Sequence, residues 1–226
     1  MLRCAASQAS DPAKSRWFHG FSYMQHPVTP SAPEAACSRR AEVRRAQILD
    51  AARICFCEHG FHGASIARIC QTASMSPGHI YHYFRNKEEI IAAIVEQDLA
   101  RVLDFHKRLR DASDFASTVS ECVAEGVRGA LDPAQTALKL EILAEATRNA
   151  RVAELVRTAD ARLRASFIET MRFIGREDSD EALHCCLDSL SELFDGLVVR
   201  GVSNPGLDVE QATRRHQQAV LKLLGL

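Results

Sequence analysis

The sequence predicts an all-α protein of about nine helices, with a three-helix head containing a helix-turn-helix and a larger helical body. Three observations carry that expectation. Apolar residues beyond Ser38 recur every three or four positions. No stretch of useful length alternates as a strand would. Ser, Asp and Asn caps, with Gly and Pro breaks, cut the chain at helix-sized intervals.

The first helix carries Ile48, Ala52, Cys55 and Phe56 on one face and stops at Gly60. The second is capped by Ser65 and turns Ile66, Ile69, Cys70 and Ala73 inward. The third opens with Ser76 as cap and Pro77 in its first turn, and closes on Tyr81-His82-Tyr83-Phe84. Asn86 caps a long fourth helix, about 87–110, striped by Ile91, Ile94, Val95, Val102, Phe105 and Leu109. Breaks at Asp111–Asp114, Asp132-Pro133, Arg148–Ala150, Gly175–Ser179 and Ser203–Gly206 leave five more helices, near 115–131, 133–147, 150–173, 179–200 and 208–224.

The domain boundaries follow: an N-terminal extension over 1–37, a three-helix head over 38–86, and a larger helical body over 87–226. The extension holds four of the seven prolines among Ser, Ala and Gln and shows no helical period, so it is expected to be disordered. Its aromatic cluster, Trp17 to Tyr23, is unusual for such a tail.

A net charge of −1 conceals an asymmetry. Residues 39–87 hold eight Lys/Arg against three acids, and residues 88–226 hold 17 against 24. A basic head on an acidic body suits a nucleic-acid reader whose body stays off the phosphates. No apolar run approaches the roughly 20 residues of a membrane span, and the first residues lack the apolar core of a secretory signal. The cytoplasm is the expected compartment, with no membrane partner. The eight cysteines form no CxxC pair, so no structural metal ion is expected of them, and no cofactor is expected either.

The third helix is too short to be stable alone, because nucleation is costly and few hydrogen bonds follow it. It has to be propped by neighbours and used on its outer face, as a helix in a major groove is. Its first N–H groups and dipole favour a phosphate, and Gly78 lets the backbone approach a duplex. Ile80 and Phe84, four apart, face inward. Pro77, Gly78, His79, Tyr81 and His82 are left for the groove, and the hydroxyls of Tyr81 and Tyr83 for phosphates. Lys87 at the start of the fourth helix, and Arg39, Arg40, Arg44 and Arg45 at the start of the first, load helix N-termini where a cation opposes the dipole, a placement that phosphate relieves.

The run ILDAARICF, then GF, then SIARIC, then MSPGHIYHYFRNKEEI closely resembles the TetR family of bacterial transcriptional regulators over about residues 42–102. The later LKLEILAEATRNARVAELVRTADARLRASF resembles the ligand-binding domain of a subset of that family more loosely. The resemblance implies an all-α homodimer that binds double-stranded DNA at a palindromic operator and answers to a small-molecule effector. By position, its DNA contacts fall on Ser65, Arg68, Pro77, Gly78, His79, Tyr81, His82, Tyr83 and Lys87. Two departures stand out: Ala64 stands where Thr is frequent, and Ser74 replaces a turn Gly. Ser74 is expected to adopt a left-handed conformation, at about 1–2 kcal/mol.

The family mechanism implies two spacings of paired heads, with an effector shifting the population and the fourth helix as lever. The seams Leu183, Leu187, Leu190, Phe194, Leu197 and Ala212, His216, Val220, Leu223 are the expected dimer interface, a four-helix bundle across a two-fold axis. Phe105, His106, Cys122, Phe167, Met171, His184 and Cys185 are the candidate effector contacts, suited to a hydrophobic or aromatic molecule. Two other functions compete. A redox- or metal-responsive regulator of the same fold would use His184, Cys185 and Cys186. A helical enzyme is the weakest reading, since no nucleophile elbow, Walker loop, dinucleotide fingerprint or HExxH motif is present, and Glu141 and Glu145 read more simply as solvated charges.

Overall fold

The computed structural model describes residues 32–226, with side chains from Arg39 onward. The aromatic cluster and most of the extension expected to be disordered lie outside that range, but residues 32–37, counted in that extension, are helical and belong to the first helix. Nine helices make up the described residues: α1 Ala32–Gly63, α2 Ile66–Ala73, α3 Pro77–Tyr83, α4 Lys87–Asp111, α5 Phe115–Leu131, α6 Pro133–Ala146, α7 Ala150–Phe173, α8 Asp180–Ser203 and α9 Val209–Leu223. No strand occurs among them.

The caps fall where Ser, Asp and Asn mark the sequence. Ser65, Ser76, Asn86, Asp114, Asp132, Asn149, Ser179 and Asp208 each accept a backbone N–H from the first turn of the helix they open. α1 begins at Ala32, earlier than expected, with Pro33 in its first turn, where a missing N–H costs nothing. Arg44 and Arg45 therefore lie well inside α1 and not at its N-terminus as the sequence led us to expect, so no helix dipole opposes them there. Its regular part ends at Gly60, whose φ of 66° and ψ of 171° break the helix before α2.

Two apolar cores result. The first joins Ile48, Ala52, Phe56, Ile69, Ile80, Phe84, Ile90 and Ile94. It also takes in Leu138 and Ile142 of α6 and Val152 of α7. The head therefore does not close on its own residues, and the body supplies one wall. The second core joins α5, α7, α8 and α9 through Val123, Val127, Phe167, Met171, Leu187 and Val220.

That second core corrects the expected dimer interface. Leu183, Leu187, Leu197, Ala212, His216 and Val220 are buried within the subunit, and Leu190 and Phe194 pack against the same core. α5 covers both seams: Gln217 Nε2 donates to the Ser120 carbonyl at 3.0 Å, and Phe194 lies so close to Gly126 that an added Cβ would sit 2.9 Å from its ring. The 4-3 spacing identified an apolar face correctly, but a face does not say which chain covers it. Of the predicted set, only Leu223 is exposed.

Candidate nucleic-acid interface

α2 and α3 meet at a tight turn that Ser74 makes possible. Its φ of 54° and ψ of 44° are the expected left-handed conformation. The Ser74 N–H reaches the Gln71 carbonyl at 3.1 Å and the Met75 N–H reaches Cys70 at 2.9 Å, closing a Schellman motif. Gln47 Nε2 donates to the Ala73 carbonyl at 2.8 Å and ties the same turn to α1.

α3 is held by its ends. Ile80 and Phe84 are fully buried, and the Ser76 hydroxyl oxygen accepts the His79 N–H at 3.3 Å. Pro77, Gly78, His79, Tyr81 and His82 are all exposed on the outer face. Among the described residues, nothing beyond its own turn of helix lies within 4 Å of a Cβ built on Gly78, so no packing contact seen there requires glycine. Tyr83 is half-buried rather than free: its ring stacks on His79 at 5.6 Å and meets the edge of His82 at 5.0 Å. The three rings pack against one another, with both imidazoles exposed on the outer face.

The flanking cations differ in how they are held. Arg45 lies over the Phe84 ring at 4.4 Å, which places it beside the end of α3. Arg44 donates to Gln47 Oε1 at 2.9 Å. Ser65 uses its oxygen to accept the Arg68 N–H at 3.2 Å, while the Arg68 side chain is exposed on α2. Lys87 needs a correction. Its Nζ donates to the Phe61 carbonyl at 2.6 Å and sits 4.4 Å over the Phe61 ring, so the cation at this helix start is satisfied inside the chain. Glu88 and Glu89, in the first turn of α4, offset its charge against the helix dipole.

The expected effector contacts are not gathered around one cavity. Phe167 and Met171 fill the second core, His184 is half-buried, and Cys185 is exposed. His106 is buried against Phe167, with its Nδ1 2.9 Å from the Ser166 hydroxyl. Burial, reinforced by the charge of Arg110, lowers its pKa to about 4, so the ring is neutral at physiological pH. Cys122 is buried, and burial pushes its thiol up. Phe105 instead edges an open groove between α4, α5 and α6, where Arg101, Asp104, Arg108, Glu125 and Arg128 mix both signs of charge.

The sequence reading missed Glu141 and Glu145, taken there as solvated charges. Glu145 is 1% exposed and bound by Arg148 Nε at 2.9 Å, Asn149 Nδ2 at 3.0 Å and His62 Nε2 at 3.1 Å. Burial pushes its carboxyl up, but the Asn149 and Arg148 hydrogen bonds and the His62 charge outweigh that and hold it low. The signal was present: Glu145 continues the Leu138, Ile142 stripe at the next helical step.

A braced helix-turn-helix under a helical body defines a DNA-binding transcription regulator, and comparison with known proteins names the family. Residues 48–94 match the bacterial regulatory proteins of the tetR family, and residues 127–225 match the BetI-type transcriptional repressor C-terminal domain. The chain is 36% identical over 132 residues to the HTH-type transcriptional regulator UidR of Escherichia coli, across 58% of this chain. That match spans 66% of UidR, just under two thirds of its length. It is 30% identical over 187 residues to the HTH-type transcriptional repressor AcnR of Corynebacterium efficiens, covering 76% of this chain and 93% of AcnR. Among solved structures, Salmonella enterica GusR superposes with a TM-score of 0.63 at 27% identity, covering 89% of this chain and all of that one.

The chain belongs to the TetR family of transcriptional regulators. Such proteins are regulators, not enzymes. No helix among the described residues is long and apolar enough to cross a membrane.

Proposed function

We propose that this protein is a cytoplasmic repressor that binds a palindromic operator as a homodimer and leaves it when a small molecule occupies the body. The observation that carries the reading is the outer face of α3: five consecutive-turn residues, Pro77 to His82 without Ile80, stand exposed while Ile80 and Phe84 anchor the helix. His79, His82 and Gly78 address the bases. Tyr81, Ser65, Arg68, Arg44 and Arg45 address phosphates. Tyr83 braces the reading imidazoles, and Lys87 braces the head. The repressor name of AcnR supports the direction of control.

The dimer face is reassigned to the outer side of α8. Ala182, Cys185, Ser189, Glu192, Gly196, Val199 and Ser203 repeat at 3-4-3-4-3-4 on the side away from the core. Small residues there let a second α8 approach closely, and exposed Val199, Val202 and Leu223 supply apolar area. The effector site is assigned to the groove beside Phe105. Its paired charges favour a polar molecule with a ring to stack, within the aromatic but not the hydrophobic half of the expected hydrophobic or aromatic class. A redox role gains no support from Cys186, whose thiol burial pushes up and whose Sγ lies 3.7 Å from the Leu223 carbonyl.

Titration of a labelled duplex from the gene's own upstream region tests the reading. Fluorescence anisotropy should show binding far tighter than to a scrambled duplex and weakening steeply with salt. Equal affinity for both duplexes would refute it.

A further inference from the structure

The turn between α1 and α2 is gripped from two sides. From α4, Lys87 holds the Phe61 carbonyl. From α6, Glu141 Oε1 accepts the Phe61 N–H at 2.6 Å, and one helical turn on Glu145 Oε2 meets His62 Nε2 at 3.1 Å. Gly60 suits the approach through its φ of +66°, which favours glycine, and an added Cβ would lie 3.1 Å from Glu141 Oε1. Arg148 pairs with Glu145 and lies 3.9 Å from Glu141, so the two carboxylates share a cation. Farther up α1, Cys57 Sγ donates to the Ala134 carbonyl at 3.3 Å. Beneath these contacts Leu138 and Ile142 complete the head's core.

We infer that Glu141 and Glu145 act as positioning residues that fix the tilt of the head on the body, and so set the half-site separation the dimer accepts. They touch no DNA in this role. The inference rests on the palindrome-binding reading above. A rigidly held pair of heads matches one spacing, because each added base pair displaces a half-site by about 3.4 Å along the axis and about 35° around it. Heads released from α6 would tolerate several spacings, at lower affinity for the best one, because the ordering now falls on the binding step.

The test starts from the full-length wild type, used to enrich duplexes from a random library. The enriched paired site is rebuilt with one and two base pairs added or removed between its halves. The wild type should lose at least about tenfold in affinity per step. Glu141→Ala/Glu145→Ala should bind a lone half-site as the wild type does, yet lose under about threefold per step. Glu141→Gln keeps an oxygen for the Phe61 N–H and should retain the steep profile. Hydrogen exchange of the Phe61 amide in DNA-free protein reads the grip itself, and should quicken at least about tenfold in the double variant. Should that variant not fold, His62→Ala takes its place, because the ring is 70% exposed and uncovers no core; its profile should flatten. A steep wild-type profile in folded Glu141→Ala/Glu145→Ala, or in His62→Ala when that variant stands in, overturns the inference, as does an unchanged Phe61 exchange rate in the folded double variant. A wild type that enriches no paired half-sites brings down the operator reading instead.

Discussion

Lys87 and Phe61 are joined twice: the ammonium donates to the Phe61 carbonyl at 2.6 Å and rests 4.4 Å above its ring. The contact ties the start of α4 to the α1–α2 turn, 26 residues earlier. It turns a residue that the sequence assigned to phosphate into part of the head's frame. Lys87→Ala should therefore lower stability by about 1–3 kcal/mol, through loss of a charge-assisted hydrogen bond and a cation–π contact. Thermal denaturation without DNA measures this. An unchanged midpoint, with only DNA affinity reduced, would return Lys87 to the phosphate role.

Ser74 holds a left-handed conformation in a turn that usually carries glycine, at φ 54°. Ser74→Gly should relieve that strain and stabilise the protein by up to about 1 kcal/mol, the greater freedom of glycine in the unfolded chain offsetting part of the gain. A shift of the denaturant midpoint to higher concentration is expected. A lower midpoint would show that the Ser74 side chain contributes more than its backbone costs.

His106 imposes a pH dependence. The unfolded chain takes up a proton near 6.5, whereas the folded chain refuses it until about 4. Stability is therefore full above pH 6.5 and declines as the pH falls towards 4, by about 3 kcal/mol at most. His106→Gln, neutral throughout, should lose this component of the slope between pH 6.5 and 4. Parallel slopes for the two proteins would mean that His106 is not responsible.

The inner and outer faces of α8 make opposite predictions. Val199 is 55% exposed and Leu187 is 5% exposed. Val199→Asp should give folded monomers in sedimentation, because it puts a charge on the face proposed to meet a second subunit. Leu187→Asp should destabilise the subunit itself by several kcal/mol, about the size of a buried unpaired charge. A Val199→Asp protein that still sediments as a dimer would place the interface elsewhere.

Much of this architecture was legible in the chain. Cap and breaker residues fixed every helix from α2 onward to within a few positions, because Ser65, Ser76, Asn86 and Asp132 act locally. The strained turn at Ser74 followed from one missing glycine. What escaped were partners distant in sequence. Periodicity marked Leu187 and Val220 as apolar-facing, but nothing local revealed that α5 lies over them. The outer α8 face proposed for the dimer drew no notice in the sequence, since small and polar residues such as Ser189 and Gly196 break up its apolar pattern. Glu145 was misread because a carboxylate is assumed solvated until Arg148, Asn149 and His62 are seen around it.

The central claim is that the outer face of α3 reads a major groove, and methylation interference on the upstream duplex tests it most directly. Methyl groups on guanine N7 project into the major groove and those on adenine N3 into the minor. Guanine methylation within two half-sites about one helical turn apart should abolish binding, and His79→Ala should lift the block at one position in each half-site. Interference confined to adenine N3, or scattered without two-fold symmetry, would contradict the account.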